Sequence, residues 1–142
     1  MKELILGGAR SGKSLLAEKR AAESGLRVVY LATAEARDGE MARRIAHHRQ
    51  RRPVDWACAE ENLYLAAKLG ELAAPDTCIL VDCLTLWLSN LLFAGQAASQ
   101  AEAGLAIECP VFRKETDALI ELLPTLPGHI ILVSNEVGWG IV

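Results

Sequence analysis

The stretch GGARSGKS, residues 7–14, decides the fold of this 142-residue chain. It satisfies the pattern G-x-x-x-x-G-K-[ST], in which glycines let backbone N–H groups turn inward around phosphate oxygens. We expect Lys13 to reach the terminal phosphates and the Ser14 hydroxyl to hold Mg²⁺ at a helix N-terminus. The motif lies between a strand-like run, ELILG, and a helix-like run, KSLLAEKRAAES. A phosphate-binding loop requires this context, so a plain Gly-rich turn is the poorer interpretation.

Beyond the motif, apolar strands alternate with amphipathic helices. The predicted strands are 3–7, 27–33, 54–60, 77–82 and 129–134, and the predicted helices are 13–24, 38–51, 61–73, 84–94 and 111–123. This alternation indicates an α/β fold with a mostly parallel sheet covered by helices on both faces. The apolar run 78–95 approaches the length of a membrane span. It divides better into a strand and a helix with an apolar stripe, and we interpret 94–110 as a flexible excursion.

Composition excludes several classes of function. A net charge of −3 and an isoelectric point near 5.6 argue against a general nucleic-acid binder, which would usually carry a basic face. The four cysteines form no CxxC pair, so we expect buried free thiols in a reducing cytoplasm. The N-terminus runs directly into glycine and charge, unlike a signal peptide. These features predict a cytoplasmic protein without a membrane span.

A second motif is the apolar strand CILVD, which ends at Asp82. In P-loop proteins a carboxylate at this position orients Mg²⁺ or its water, although a turn-forming aspartate is the alternative. The guanine-specifying N-K-x-D pattern is absent, and no D-x-x-G follows Asp82. A switch GTPase is therefore disfavoured, and the small size favours an enzyme that phosphorylates a metabolite.

The segment EMARRIAHHRQRRPVDW, residues 40–56, places His47 and His48 among five arginines. A solvated helix matched to its own dipole, a metal site, a nucleic-acid surface and a phosphate cradle are the possible interpretations. At 100° per residue, His48 falls on the packing side and His47 within an arginine cluster. The nearby cations would oppose a metal ion. They suit an anionic phosphate, with the imidazole as nucleophile or acid–base group.

With these residues assembled, the chain resembles the bifunctional adenosylcobinamide kinase/adenosylcobinamide-phosphate guanylyltransferase family of cobalamin biosynthesis. The resemblance implies a RecA-like P-loop sheet and a homotrimer with sites at subunit interfaces. The matching pieces follow one another along nearly the whole chain: GGARSGKS, YLAT, EMARRIAHHRQRRP, the AE at 59–60, LVDCLTLWLSNLL and LVSNEVGWGIV.

The resemblance also implies two reactions. ATP or GTP phosphorylates the aminopropanol hydroxyl of adenosylcobinamide. GMP then passes from GTP, through a guanylylated histidine, to the resulting phosphate, which yields adenosylcobinamide-GDP and pyrophosphate. The covalent histidine carries over to His47, and Lys13 is the other implied catalytic residue. The implied Mg²⁺ ligands are Ser14 and Asp82, and the implied nucleotide contacts are Gly7, Gly8, Ala9, Arg10, Ser11, Gly12, Lys13, Ser14, Leu31, Ala32, Thr33, His48, Arg49, Gln50, Arg51, Glu60 and Asp82.

Members of this family continue beyond the NEVGWGIV segment with a proline, an Arg-containing helix and a final strand. We therefore expect residues 1–142 to form a single nucleotide-binding domain without that helix and strand. Two alternatives remain from the residues themselves: a single-activity P-loop kinase of a small molecule, and a nucleotide-sensing binding module. Stable labelling of the protein by α-phosphate-labelled GTP distinguishes the bifunctional enzyme from both.

Overall fold

A computed structural model describes residues 1–7, 12–34, 53, 55–94 and 110–135 of the chain. Strands and helices alternate along these residues, as the sequence predicts. The strands are β1 (Lys2–Gly7), β2 (Arg27–Ala32), β3 (Ala57–Glu60), β4 (Thr77–Asp82) and β5 (His129–Asn135). The helices are α1 (Lys13–Glu23), α2 (Leu65–Leu72), α3 (Leu84–Ala94) and α4 (Pro110–Leu122), the last followed by a 3₁₀ turn at Leu123–Thr125.

The five strands form one sheet in the order β1-β5-β4-β2-β3, and every neighbouring pair is parallel. This confirms the predicted α/β fold with a parallel sheet. The strand that leads into the phosphate loop, β1, is separated from β4 by β5 alone. Because parallel strands end at the same edge, Gly7, Ala32, Glu60 and Asp82 all lie along the carboxyl edge of the sheet.

Alternate residues of the strands face two different apolar clusters, as the two-residue period of a strand requires. On β2, Val28 and Tyr30 pack against α1, whereas Val29 and Leu31 pack against the opposite layer. The α1 layer is close to the sheet because Ala17 and Ala21, both fully buried, are the helix residues that meet it. The opposite cluster is larger and contains Leu65, Leu69, Ile79, Val81, Trp87, Leu91, Leu119, Ile130 and Leu132.

The path of the chain explains why helices cover both faces. The connection from β1 to β2 passes over β5 and β4 in one direction, with α1 above it. The connections from β3 to β4 and from β4 to β5 run in the reverse direction. Since such crossovers are right-handed, reversing the direction transfers the helices to the other face. There α4 packs against both α2 and α3.

The helix predicted at 61–73 begins later, at Leu65. The cause is Glu61, whose Oε2 accepts hydrogen bonds from the backbone N–H groups of Leu63 (3.2 Å) and Tyr64 (3.1 Å). This local turn uses amide groups that a longer helix would have needed. The predicted helix 38–51 and most of the excursion at 94–110 lie outside the described residues.

The apolar run 78–95 divides into β4 and α3, as predicted. Within the described residues, no helix combines the length and apolarity that crossing a bilayer requires. The expectation of buried thiols is only partly correct. Cys78 is buried and Cys83 is half-buried, but Cys58 is exposed on β3, the outermost strand among those that the structure describes; all three are free thiols. Cys109 lies outside the described residues.

At the amino edge of the sheet, Glu3 connects three elements. Its carboxylate pairs with Arg20 of α1 and lies 2.6 Å from His129 Nε2 of β5. The Arg20 guanidinium, with a smaller contribution from His129, holds the pKa of Glu3 below its ordinary value of 4.5, against the opposing effect of burial. The ionised carboxylate therefore stabilises the folded state more than the unfolded chain.

We expect Glu3→Gln to lower the free energy of unfolding at pH 7 by about 1 kcal/mol, the scale of a charged hydrogen bond discounted for solvent. Because the folded-state pKa is lowered, this contribution is complete above pH 4.5 and is lost as the pH falls through the lowered pKa. Urea unfolding at pH 7 and at pH 3 measures the difference, with exposed Glu121→Gln as the control. An equal loss at both pH values would contradict an ionic role for Glu3.

Candidate nucleotide-binding site

The N-terminus of α1 has the backbone features of an anion-binding site. Gly12 precedes the helix in a left-handed conformation, with φ of 77°, and a Cβ added to it would meet no atom within 4 Å. The glycine is thus required by its backbone conformation and not by lack of space. Within the described residues no side chain caps this end of α1. Its first N–H groups therefore point out of the helix without intrahelical partners, as phosphate binding requires.

Lys13 and Ser14 are the first two residues of α1, and both side chains are half-buried. Lys13 lies within electrostatic reach of the segment that follows β4. Burial raises the pKa of the Cys83 thiol, the Asp82 carboxylate adds to this, and the positive charge of Lys13 acts in the opposite direction. The charge of the phosphate-loop lysine therefore reaches the end of β4 at the carboxyl edge of the sheet.

Asp82 ends β4 on the face of the sheet that α1 covers. Its even-numbered position gives it the same orientation as Cys78 and Leu80, which pack against α1. The phenol of Tyr30, on neighbouring β2, donates a hydrogen bond of 2.6 Å to Asp82 Oδ2. Asp82 is half-buried, and its role in binding Mg²⁺ stays a prediction.

Thr33 fastens the end of β2 to the end of β4. Its side chain is fully buried, and its Oγ1 both donates to the Cys83 carbonyl (2.7 Å) and accepts from the Cys83 N–H (3.0 Å). Its own N–H donates to the carbonyl of Asp82 (3.1 Å). Buried Asn90 of α3 donates to the Thr33 carbonyl (2.8 Å) and to that of Asn62 (3.2 Å). The backbone on both sides of the Asp82 side chain is therefore held in place.

The structure brings most of the described candidate residues to one edge. Gly7, Ala32, Glu60 and Asp82 end four of the strands, and Gly12, Lys13 and Ser14 begin α1. The side chains of two residues predicted to contact nucleotide are engaged elsewhere. Leu31 is buried in the core, and Thr33 makes the hydrogen bonds to Cys83 that we call the Thr33 clamp. Direct nucleotide contact remains a prediction for all of them. Residues 8–11 and 47–51 lie outside the described residues.

Sequence reasoning missed two residues that shape this edge. Tyr30 and Asn90 occur in runs typical of a core strand and a core helix. Their polar atoms are buried with defined partners, which local pattern does not reveal because those partners are 52 and 57 residues away along the chain. A tyrosine two residues before the end of a strand, on the same face as a neighbouring Asp, is the signal that could have identified the first.

The oxygen donors at this edge fit Mg²⁺. This small, hard cation prefers oxygen ligands, keeps several waters and commonly binds through one or two carboxylates plus substrate phosphates. Ser14 and Asp82 provide a hydroxyl and a carboxylate, and the neighbouring α1 N-terminus suits phosphate. In the described part of the chain, no three His, Cys, Asp or Glu side chains converge on one point.

The parallel sheet, the phosphate loop and the carboxylate on β4 define a P-loop nucleotide-binding α/β protein. Over residues 3–142 the chain matches the family described as cobinamide kinase / cobinamide phosphate guanyltransferase, and it belongs to that family. The family is one of enzymes with kinase and guanylyltransferase activities, which confirms the function predicted from the sequence at this level.

Individual relatives agree with the family assignment. The chain is 58% identical over 142 residues to the bifunctional adenosylcobalamin biosynthesis protein CobP of Pseudomonas aeruginosa, covering 100% of this chain and 75% of the relative. It is 40% identical over 141 residues to the bifunctional adenosylcobalamin biosynthesis protein CobU of Salmonella typhimurium, covering 98% and 77%. The CobU protein of Escherichia coli is 39% identical, with the same coverage.

The Thr33 clamp generates a stability prediction. Thr33→Val keeps the shape of the side chain but leaves the N–H and C=O of Cys83 without this partner. We expect the free energy of unfolding to fall by about 2 kcal/mol or more, the scale of buried polar groups left unsatisfied. Urea unfolding measures it. Thr125→Val is the matched control, because the exposed Thr125 hydroxyl can be replaced by water. Equal small losses in the two variants would show that the clamp does not hold the edge.

Proposed function

We propose that this enzyme performs both reactions of its family with one P-loop nucleotide site at the carboxyl edge of the sheet. It would phosphorylate adenosylcobinamide with ATP or GTP and then transfer GMP from GTP to the product. The observation that carries the proposal is that Lys13, at the open N-terminus of α1, and Asp82, at the end of β4, both lie within electrostatic reach of the Cys83 thiol. A phosphate chain in the loop would lie between them.

In the kinase step, the acceptor hydroxyl attacks the terminal phosphorus of the nucleotide, and the nucleoside diphosphate leaves. Charge spreads over the transferred phosphoryl oxygens during this step, so positioned positive charge is the main contribution of the protein. Lys13 and the N–H groups at the start of α1 would supply it. We propose that Ser14 and Asp82 hold Mg²⁺, which when bound neutralises charge on the phosphate oxygens.

In the guanylyl step, an imidazole nitrogen attacks the α-phosphorus of GTP, forms an N–P bond and expels pyrophosphate. An oxygen of the acceptor phosphate then attacks the same phosphorus, and the histidine leaves. The chain has three histidines. His129 begins β5 and contacts Glu3, so it lies at the opposite edge of the sheet, about 20 Å away at 3.3 Å per residue. This supports a nucleophile from the pair His47 and His48, among which the arginine-cluster argument favours His47.

The arginines around His47 would neutralise the triphosphate, and His48 through Arg51 would contact it. Nearby cations lower the pKa of an imidazole because they disfavour its charged form, which keeps a nucleophilic neutral ring available near pH 7. Contacts from Gly7–Gly12, Leu31–Thr33 and Glu60 complete the proposed site, and Thr33 would act through the backbone that it holds.

We also propose a homotrimer with sites at subunit interfaces and a cytoplasmic location. Leu15 and Leu16 in the first turns of α1 are 60% and 48% exposed, directly beside the phosphate loop. Two neighbouring apolar side chains exposed in this position support a partner surface close to the site. The net charge of −3 supports small-molecule substrates over nucleic acid. Light scattering of the purified protein tests the trimer directly.

Lys13→Ala removes the charge that faces the terminal phosphates, so we expect kinase turnover to fall by about 10²–10³-fold, the scale for loss of one electrostatic donor. Phosphorylation of adenosylcobinamide by labelled ATP measures it. Lys19→Ala is the control on the same helix, since Lys19 is exposed and pairs only loosely with Glu23 at 4.0 Å. Normal turnover in the Lys13 variant would remove the loop from catalysis.

His47→Asn should abolish covalent labelling by α-phosphate-labelled GTP and Mg²⁺, because Asn offers no nucleophilic ring nitrogen. The native protein should carry an acid-labile, base-stable label, and His48→Asn should retain some. Kinase activity should partly survive in the His47 variant, since phosphoryl transfer to the corrinoid needs no covalent histidine. Label lost only in the His48 variant would reassign the nucleophile. A native protein without label would leave a single-activity kinase.

A further inference from the structure

The phenol hydroxyl of Tyr30 lies in an apolar setting, and the proposed function gives this hydroxyl no role. The side chain is 6% exposed and packs in the cluster between α1 and the sheet. A buried phenol hydroxyl needs a hydrogen-bond partner, since leaving it without one costs free energy. Its described partner is Asp82 Oδ2, at 2.6 Å, a charge-assisted bond of the short kind.

The register of the strands explains why a tyrosine reaches this carboxylate. On adjacent strands β2 and β4, Tyr30 pairs with Leu80, and Ala32 pairs with Asp82. Tyr30 is therefore one neighbouring strand and two residues away from Asp82, on the same face. At about 4.8 Å between strands and 3.3 Å per residue, the diagonal between backbones is about 8 Å. A phenol side chain spans this gap along the strand direction, whereas a phenylalanine of the same shape would leave the carboxylate without the bond.

The bond restrains the Asp82 side chain, which the Thr33 clamp leaves free to rotate. Thr33 holds the backbone through the Asp82 carbonyl and both polar groups of Cys83. The carboxylate itself can still turn, because the final torsion of an aspartate side chain is broad. With Oδ2 held by Tyr30, the orientation of Oδ1 is set as well. Within the described residues, no hydrogen bond reaches Oδ1.

We propose that Tyr30 is a positioning residue that holds Asp82 Oδ2, so that Oδ1 is presented to Mg²⁺ or to a water of its hydration shell. The inference rests on the proposed role of Asp82 in binding the metal. Outer hydrogen-bond partners of metal ligands usually change metal affinity by 10–100-fold when they are removed. For one neutral donor to one carboxylate oxygen we expect the lower end, about 10-fold weaker binding.

The test is metal affinity in Tyr30→Phe. Mn²⁺ binding is followed by electron paramagnetic resonance in the presence of the α,β-methylene analogue of GTP, which prevents guanylyl transfer. We expect the Mn²⁺ dissociation constant to rise about 10-fold, and the Mg²⁺ concentration for half-maximal kinase activity to rise with it. Tyr64→Phe is the matched control, because Tyr64 is the other tyrosine and is 53% exposed. Unchanged or tighter Mn²⁺ binding in Tyr30→Phe would overturn the inference.

A second measurement separates positioning from general loss of stability. The rise in Tm caused by Mg²⁺ and the nucleotide analogue is a difference within one variant, so a uniform loss of stability leaves it unchanged. We expect a smaller rise in Tyr30→Phe than in Tyr64→Phe even if both melt lower. Equal rises would assign Tyr30 a packing role only.

The Asp82→Asn variant distinguishes failure of this inference from failure of the proposed site. If Asp82→Asn weakens Mn²⁺ binding and Tyr30→Phe does not, Asp82 binds the metal without help from Tyr30. If neither variant changes binding, the proposed metal role of Asp82 fails as well. If Tyr30 acts through Asp82, adding Tyr30→Phe to Asp82→Asn should weaken Mn²⁺ binding little further. Losses of affinity that add independently in the double variant would contradict positioning through Asp82.

Discussion

The site of this protein depends on the parallel pairing of its five strands. Because all strands run in one direction, every described strand ends at the same edge, and residues far apart in the chain meet there. The same pairing fixes the register in which Ala32 lies beside both Asp82 and Glu60. A shift of one residue between β2 and β4 would turn Asp82 to the wrong face and separate it from Tyr30.

The two faces of the sheet are packed with different kinds of side chain. The face opposite α1 is covered by three helices and is packed with large aliphatic side chains. In the described part of the chain, the α1 face uses two alanines to bring the helix close and accommodates Tyr30 and Asp82 next to apolar residues. Among the described residues, the cluster on the face opposite α1 buries more apolar side chains than the α1 cluster and so contributes more to stability. The stability that it contributes offsets the free-energy cost of partly burying polar groups on the α1 face.

Membership of a bifunctional family places two demands on one nucleotide site. Phosphoryl transfer needs positive charge at the terminal phosphate, the role proposed for the P-loop lysine. Guanylyl transfer needs a nucleophile at the α-phosphorus. Within the described residues His129 lies at the opposite edge of the sheet and is engaged with Glu3. The arginine-rich segment with its two histidines comes after β2 in the sequence, and β2 itself ends at the carboxyl edge.

The sequence by itself determined the class of fold, the order of its elements and the family. These features follow from local patterns, which can be read along the chain: the periods of strands and helices, the pair Gly12 and Lys13, and the apolar run before Asp82. The delayed start of α2 was missed because Glu61 competes for backbone N–H groups through its side chain. Only the tertiary structure decided that Thr33 is a buried clamp and that Tyr30 holds the Asp82 carboxylate. Both contacts depend on the order and register of the strands. Order and register follow from packing between segments that are distant in the chain, and no periodic pattern in the sequence indicates them.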